Sequence, residues 1–206
     1  MSVPVSTVAA TMNARLKPYC QLPRRLPQFA VPRQVSPGLD GPDLMLHTFQ
    51  TRDAYEVLRE HGVLVADPAL AEPLFAEAYE WMGKQMKRRL ATSADGMLWL
   101  WARHTRREFT RAARGLRGEV LITVQVEREQ ALLSHFHDWH VVLNRGLLVP
   151  QCGGGSIEAW EVRFEASNAD WDLRADDLRD VPRTQWPEDL RSELEASWES
   201  IFDPDT

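Results

Sequence analysis

The stretch "EVLITVQVE", residues 119 to 127, is the strongest strand signal in the chain and the place to start on its fold. It is apolar, rich in β-branched residues and contains neither glycine nor proline. Side chains of this kind pack well on a pleated surface, and a short apolar run of this length is typical of a strand in the middle of a sheet. The sequence therefore predicts a central strand at 119–127.

Other segments predict further strands around it. "DLMLHTFQ" predicts a first strand from Leu44 to about Gln50, and "VLVAD" at 63–67 predicts a short one. "GMLWLWARH" at 96–104 predicts a strand that carries Trp99 and Trp101 on one face. "GGGSIEAWEVRFE" at 153–165 opens on glycines and then alternates apolar and charged residues, which favours a late strand.

Between these segments lie helical patterns. Thr51 and Gly62 bracket "RDAYEVLREH" as an N-cap and a C-cap. Apolar residues recur at three and four through 69–90, the segment 128–144 also favours a helix, and 187–203 predicts an amphipathic one. Helices and strands interleave without a glycine fingerprint or regular βαβ units. We expect a single compact α+β domain with a mixed or antiparallel central sheet.

Composition sets the class of protein. The chain has 206 residues, a formal charge of −6 and eight tryptophans, and this acidic balance argues against general attraction to nucleic acid or anionic lipid. No apolar run approaches the ~20 residues that span a bilayer, and the N-terminus has no signal-peptide pattern. Only Cys20 and Cys152 are present, so we expect a cytoplasmic protein without disulfides and no association with a membrane.

Residues 1–43 are predicted to form a proline-rich leader or extended arm ahead of an α+β domain at 44–206. They contain seven of the thirteen prolines, and proline at this density opposes helix formation. A disordered tail and a partner-binding arm are both compatible with this composition.

The segment "LLSHFHDWHVVLN", residues 132–144, concentrates polar residues that are common in functional sites. No regular element points all three of its histidines in one direction, so we expect no metal site. His140 and Asn144 are one helical turn apart and lie beside Trp139. The three residues are predicted to line a polar pocket or to form a satisfied pair in the core.

Five segments in order resemble the bacterial family catalogued as domain of unknown function 3841: "LHTFQTRDAYEVLREHGVLVAD", "FAEAYEWMGKQMKRRL", "LLSHFHDWHVVLN", "IEAWEVRFE" and "SWESIFD". The resemblance covers residues 46 to 202 approximately. Trp139, His140 and Asn144 fit the family pattern, whereas His135 and His137 stand where the family has acidic residues. The family carries no assigned activity.

A second resemblance, to the ADP-ribosyltransferase superfamily, rests on a first strand with His-Thr, a helix that ends in glycine and a short strand. It implies an ADP-ribosyltransferase-like plan with NAD as co-substrate. Its catalytic candidates are His47 on the first strand and Glu158 or Glu161 as the late glutamate. Its binding candidates are Thr48, Gln50 and Tyr55 near the first strand and Trp99 or Trp101, which would stack on nicotinamide. The arginine-rich block at 103–117, which begins with Arg103, would hold the pyrophosphate.

Three functions remain open at this point. The first is an NAD-consuming transferase or glycohydrolase that acts on nucleic acid or protein. The second is a non-catalytic module that binds nucleic acid or a phosphorylated small molecule, such as a nucleotide, through the arginine block and tryptophans. The third is a protein whose leader binds a partner. The oligomeric state cannot be predicted from these patterns.

Overall fold

The computed structural model describes residues 6–10, 19–21, 41–90, 96–103, 107, 110–111, 114, 119–149 and 157–202. Of residues 6–10, 19–21, 103 and 157 it describes the backbone only. The strands are β1 (Ser6–Ala10), β2 (Tyr19–Gln21), β3 (Asp43–Gln50), β4 (Leu98–Arg103), β5 (Val120–Glu127) and β6 (Ala131–His135). The α-helices are α1 (Arg52–His61), α2 (Ala76–Arg89), α3 (Phe136–Leu143), α4 (Ile157–Ala175) and α5 (Glu188–Trp198).

The protein is a mixed α+β protein, as predicted, and its sheet is built on three antiparallel strands. β3 pairs with β5 along its whole length, from Asp43 opposite Glu127 to Gln50 opposite Val120. β4 pairs with the other edge of β3, where His47 lies opposite Trp101. β2 adds to β5, and β1 adds to β4. With β6 next to β1, the order of the strands is β2-β5-β3-β4-β1-β6. The strand predicted at 119–127 is confirmed as β5, but the middle one of the three strands is β3, and β5 lies between β3 and the three-residue strand β2.

Contacts within the chain group its residues into two compact units. The first comprises residues 1–71 and 82–133, and the second comprises residues 72–81 and 134–206. The strands β1 and β2 lie inside the proline-rich segment 1–43. The division into a leader and one domain stays a prediction.

The core of the first unit lies on one face of the sheet. Alternate residues of β3, β4 and β5 supply it, because successive side chains of a strand point to opposite faces. Leu58 of α1 is buried in the same cluster, with Ala54 and Tyr55 packed against it. The strand residues of this core are Leu44, Leu46, Leu100, Ala102, Val120, Ile122, Val124 and Val126.

Helix α1 begins and ends where its sequence predicts. The Thr51 side chain accepts a hydrogen bond from the Ala54 amide, and Gly62 closes the helix in the left-handed region at φ 71°. A residue with a Cβ is strained at that φ, whereas glycine is not.

Two glycine substitutions are expected to change stability in opposite directions. A Cβ added at either Gly62 or Gly83 would meet no atom within 4 Å, so backbone conformation alone decides the result. Gly62→Ala should lower the free energy of unfolding by about 1 kcal/mol because of its positive φ. Gly83→Ala, inside α2, should raise it by about 0.5–1 kcal/mol. Urea denaturation of both variants checks this, and a change of the same sign in both would contradict it.

Three element predictions are wrong in detail. Residues 63–67 form no strand. The helix predicted at 69–90 begins only at Ala76, after two short 3-10 helices that each start at a proline, Pro68–Leu70 and Pro73–Phe75. The helix predicted at 128–144 is a 3-10 turn, then strand β6, then helix α3. Proline removes a backbone donor, which explains the late start of α2.

The late strand predicted at 153–165 is also wrong, because residues 157–175 form the longest helix of the described chain. Alternation holds for only a few residues there. Over the whole segment the less exposed residues instead recur at helical spacing, as Trp160, Phe164, Asn168, Trp171 and Ala175. No glycine or proline interrupts them. The helical period therefore decides the structure.

The second unit is helical and is packed around tryptophans. Trp81 meets Trp198 edge to face, with ring centroids 5.3 Å apart, and stacks on Phe202 at 5.8 Å. Trp171, Trp186, Leu194 and Ile201 are buried in the same unit. Such aromatic pairs add to the stabilisation that burial gives. Across the described chain, no helix has the length and hydropathy needed to cross a membrane.

Candidate functional site

Helix α3 ends in a hydrogen-bond pattern that normally requires glycine. Asn144 is the C-cap, the Arg145 amide donates to the Val142 carbonyl, and the Gly146 amide donates to the Val141 carbonyl. This is the Schellman arrangement, whose left-handed position is most often glycine. Here Arg145 occupies it, at φ 56°, the one non-glycine residue with positive φ among those described. Left-handed backbone costs about 1 kcal/mol in an L-residue, so another interaction must hold Arg145 there.

That interaction is made by the Arg145 side chain. One guanidinium nitrogen donates to the carbonyls of Arg179 and Val181, at 2.7 and 3.2 Å, and the other donates to Glu77 Oε2 at 2.8 Å. The guanidinium also lies 5.7 Å from the centre of the Trp186 ring. A planar fork with several donors suits such a set of acceptors better than an ammonium group.

Glu77 joins Arg145 to a second, buried arginine. Its Oε1 accepts the Arg183 amide at 2.8 Å, while the Arg183 guanidinium lies 4.8 Å from the Trp198 ring centre and 3.6 Å from Glu195 Oε1. Burial lowers the pKa of Arg183 from its ordinary value, against the opposing effect of Glu195, Glu77 and Glu80. Glu77 thus accepts a hydrogen bond from the Arg145 guanidinium with one oxygen and from the Arg183 backbone amide with the other.

The segment that follows α3 is fixed by side chains and not by regular structure. Three tryptophan N–H groups donate to its carbonyls: Trp171 to Arg145, Trp198 to Gly146 and Trp160 to Val149, at 2.8–3.0 Å. The Asn168 amide exchanges two hydrogen bonds with the backbone of Leu147, and Ser197 Oγ accepts the Leu148 amide. We call residues 145–149 the strap.

A pocket of about 590 Å³ lies beside the strap, inside the second unit. Its aromatic wall comes from Phe75, Phe164, Trp171 and Trp186, and its polar groups include His140, Asn144, Arg145, Asp172 and Arg179. The helical spacing of α4 places Phe164, Asn168, Trp171 and Ala175 on the side that lines it. A mostly apolar concavity with a few polar groups is typical of small-molecule sites.

The polar side chains of the pocket differ in which of their hydrogen-bonding atoms are already used. His140 Nδ1 lies 2.9 Å from the Phe136 carbonyl, and the Asn144 amide nitrogen donates to the His140 carbonyl at 2.6 Å. One Asp172 oxygen lies 3.2 Å from Arg179, whose Nε also contacts Asp176 at 2.9 Å. In the part of the chain that is described, His140 Nε2, Asn144 Oδ1 and the second oxygen of Asp172 accept no hydrogen bond.

Of the predicted site residues, the structure brings three together on the second face of the sheet in the first unit. His47 and Trp101 are register partners, and Trp99 is two residues from Trp101 on the same strand face. His47 is only 2% exposed and its Nδ1 lies 2.9 Å from Thr123 Oγ1. Trp101 packs against Leu121 together with Phe49.

Other predicted binding residues near the first strand face elsewhere. Thr48 is buried and accepts a hydrogen bond from Gln50 at 2.9 Å. Tyr55 packs half-buried against the core of the first unit. Arg103 ends β4, but its side chain and most of the arginine-rich block at 103–117 lie outside the described residues.

The remaining predicted residues lie in the second unit. Glu158 and Glu161 are exposed on helix α4, so the proposed late strand glutamate is absent from this segment. Trp139 is buried, with its ring edge-on to Tyr79 at 5.6 Å. His140 and Asn144 both line the pocket. No group of three possible metal-binding side chains occurs among the described residues.

The structure agrees with one feature of the NAD site that the resemblance implies and disagrees with two others. A polar residue on the first strand and an aromatic residue on the next share a face, as it requires. The burial of His47 and the helical setting of both glutamates do not fit it. No reaction step through NAD follows from this geometry.

Sequence patterns missed most of the pocket. Trp171 and Asp172 escape prediction because the strand expected at 153–165 hides the helix that carries them. Arg145 and Trp186 lie outside that helix and carry no comparable local signal. The signal for Trp171 is the four-residue spacing from Trp160 to Phe164 and Asn168, which continues to Trp171 and predicts one helix face.

Asp138 is expected to make the stability of the second unit depend on pH. Burial raises the pKa of its carboxyl above 3.8, although His135, 3.8 Å away, and His137 oppose the shift. The folded state therefore binds this proton more tightly than the unfolded chain. The resulting stability is present at low pH and is lost as pH rises through the ordinary and then the raised pKa.

Asp138→Asn should therefore raise the melting temperature at pH 7, where the native carboxylate is ionised and partly buried. The gain should shrink as pH falls towards about 4. Melting curves between pH 3 and 8 check this, with the exposed Asp189→Asn as control. A lower melting temperature at pH 7 would show that the histidine contacts outweigh burial.

Comparisons with known proteins identify a family and no function. No curated protein and no solved structure matches the chain. The family model described as Domain of unknown function (DUF3841) matches residues 45–206, which is most of the chain. The chain belongs to this family.

Proposed function

We propose that the second unit is a binding module for a small organic molecule, which it holds in the pocket beside the strap. The proposal rests on the hydrogen bonds that the tryptophans of the aromatic wall make. The N–H groups of Trp171 and Trp186 are both used by backbone carbonyls, those of Arg145 and Val181. Their buried rings therefore line the pocket without an unsatisfied donor.

The polar part of the pocket supports the same function. Backbone contacts fix the His140 ring and the Asn144 amide, and Glu77 fixes Arg145. A site whose groups are held before the ligand arrives loses less conformational entropy on binding. The strained backbone of Arg145 is consistent with this, because strain of this kind concentrates at functional sites.

Fluorine NMR of protein labelled with 5-fluorotryptophan tests the proposal. The resonances of Trp171 and Trp186 are assigned with Trp171→Phe and Trp186→Phe, and the protein is titrated with nucleosides, nucleotides, NAD and aromatic amines. We expect at least one compound class to shift these two resonances and to leave those of Trp99 and Trp101 unchanged. Shifts confined to Trp99 and Trp101 would move the site to the first unit, and the absence of any shift would contradict a binding function.

A second candidate function is NAD-dependent ADP-ribosyl transfer or NAD hydrolysis by the first unit. The observation in its favour is that His47, Trp99 and Trp101 share one face of the sheet. Release of nicotinamide from NAD, measured with and without nucleic acid and lysate protein, tests it. Release that is lost in His47→Ala would support this function. No release and no NAD-dependent rise in melting temperature would rule it out.

A further inference from the structure

We propose that the ligand of this pocket is a flat aromatic molecule that carries a cationic N–H donor, of the amine or amidine class. The inference rests on the proposed binding function. It goes further, because it follows from which hydrogen-bonding atoms of the pocket are already used.

His140 offers an acceptor. Its Nδ1 lies 2.9 Å from the Phe136 carbonyl, and a carbonyl only accepts hydrogen bonds. In the neutral ring, Nδ1 must therefore carry the proton, which leaves the lone pair on Nε2. The ring is exposed and lies edge-on to Phe136 at 4.5 Å, which further fixes its orientation.

Asn144 offers a second acceptor by the same argument. The atom 2.6 Å from the His140 carbonyl must be the amide nitrogen, since two oxygens would repel each other. The amide oxygen is then the group left for a ligand. Asn168, the other amide in the lining, has its oxygen and nitrogen committed to Leu147 and Phe164.

The charges of the lining favour a cation over an anion. Arg145 is neutralised by Glu77, and Arg179 lies between two carboxylates, Asp172 and Asp176. A phosphate that approached Arg179 would meet both of those carboxylates. A cationic donor instead finds the second oxygen of Asp172.

Asp172 and Asp176 form a matched pair for a test. Both contact Arg179, but only Asp172 is part of the pocket lining. The probes are benzamidine, benzyl alcohol, benzoate and phenyl phosphate, which share a ring and differ in the charge of its substituent. Binding is followed by the fluorine resonances of Trp171 and Trp186 in the full-length protein.

Benzamidine is expected to bind more tightly than the other three probes. Asp172→Asn should weaken its binding about tenfold, the effect of losing one charge-assisted hydrogen bond, and Asp176→Asn should change it less than twofold. Both aspartates are exposed, so neither change threatens the fold, and urea denaturation verifies this.

Each alternative result has a definite meaning. If benzoate or phenyl phosphate binds more tightly than benzamidine, the ligand class is wrong and the binding function stands. If the two aspartate variants weaken benzamidine equally, Asp172 is not the anchor and the inference fails. If none of the probes moves the two resonances, the inference fails, and the broader panel of nucleosides, nucleotides, NAD and aromatic amines decides whether the binding function fails with it.

Discussion

Replacing Glu77 by glutamine is expected to lower the free energy of unfolding by about 3 kcal/mol. Glutamine keeps the shape of the side chain but removes the charge that pairs with the Arg145 guanidinium and that accepts the backbone amide of Arg183. The Arg183 side chain is only 7% exposed, and the carboxylate that contacts its guanidinium is that of Glu195, at 3.6 Å. The charge of Glu77 adds to this favourable effect from a longer distance. The loss breaks the partly buried pair with Arg145 and removes one of the carboxylates that offset the buried charge of Arg183, and removing one partner alone is the costly way to break an ion pair.

The matched control is Glu193→Gln. Glu193 also pairs with an arginine through two contacts of 2.7–2.8 Å, but Arg174, its partner, is exposed. Water screens such a pair, so this variant should lose only a small fraction of what Glu77→Gln loses. Urea denaturation of both variants measures the difference. Equal losses would mean that the burial of Arg183 does not determine the strength of the Glu77 contacts.

Trp198→Ala is expected to cost about 4 kcal/mol, the largest effect of the substitutions considered. Trp198 is 1% exposed, packs edge-on against Trp81 and lies under the Arg183 guanidinium. Its removal opens a cavity in the second unit and also leaves the Gly146 carbonyl without its donor. Both consequences destabilise the folded state.

Trp160→Ala separates the effect of the lost hydrogen bond from the effect of the cavity. Trp160 donates to the Val149 carbonyl in the same way, but its ring is only half-buried. We expect this variant to lose about 1–2 kcal/mol, because the hydrogen bond goes and little cavity forms. Denaturation curves for both variants, compared with the wild type, give the result. A loss at Trp160 as large as that at Trp198 would assign the effect to the hydrogen bond and not to packing.

Local signals predicted those parts of the fold that local interactions determine. Thr51 and Gly62 mark the ends of α1 because capping depends on a few adjacent residues. The run from Val120 to Glu127 predicts a strand because both its composition and its length are typical of one. For these elements no distant contact is needed.

The wrong element predictions fall where a few residues fit the alternation of a strand and a longer segment fits the spacing of a helix. Residues 157–165 alternate for a few positions, and only the continuation to Ala175 reveals the helical spacing. Residues 128–144 contain one strand and one helix, separated at Phe136 without a glycine or proline to mark the boundary. Tertiary pairing decides such cases, and a single sequence does not show it.

The candidate site was predictable in part. Helical spacing alone places His140 and Asn144 near each other, and both line the pocket. Their available atoms could not be predicted, since these depend on contacts with the Phe136 and His140 carbonyls. Arg145 was hidden for a similar reason: its left-handed backbone and its contact with Glu77, 68 positions away, appear only in three dimensions.

The strap has a consequence for exchange with solvent. Residues 146–149 belong to no helix or strand, and amides in such segments usually exchange their hydrogens for deuterium quickly. Here the Leu147 and Leu148 amides donate to Asn168 and Ser197, and both leucines are buried. These two amides should therefore exchange as slowly as those of the neighbouring helices. A cut or an inserted sequence at this point should disrupt the second unit as severely as one inside a helix would.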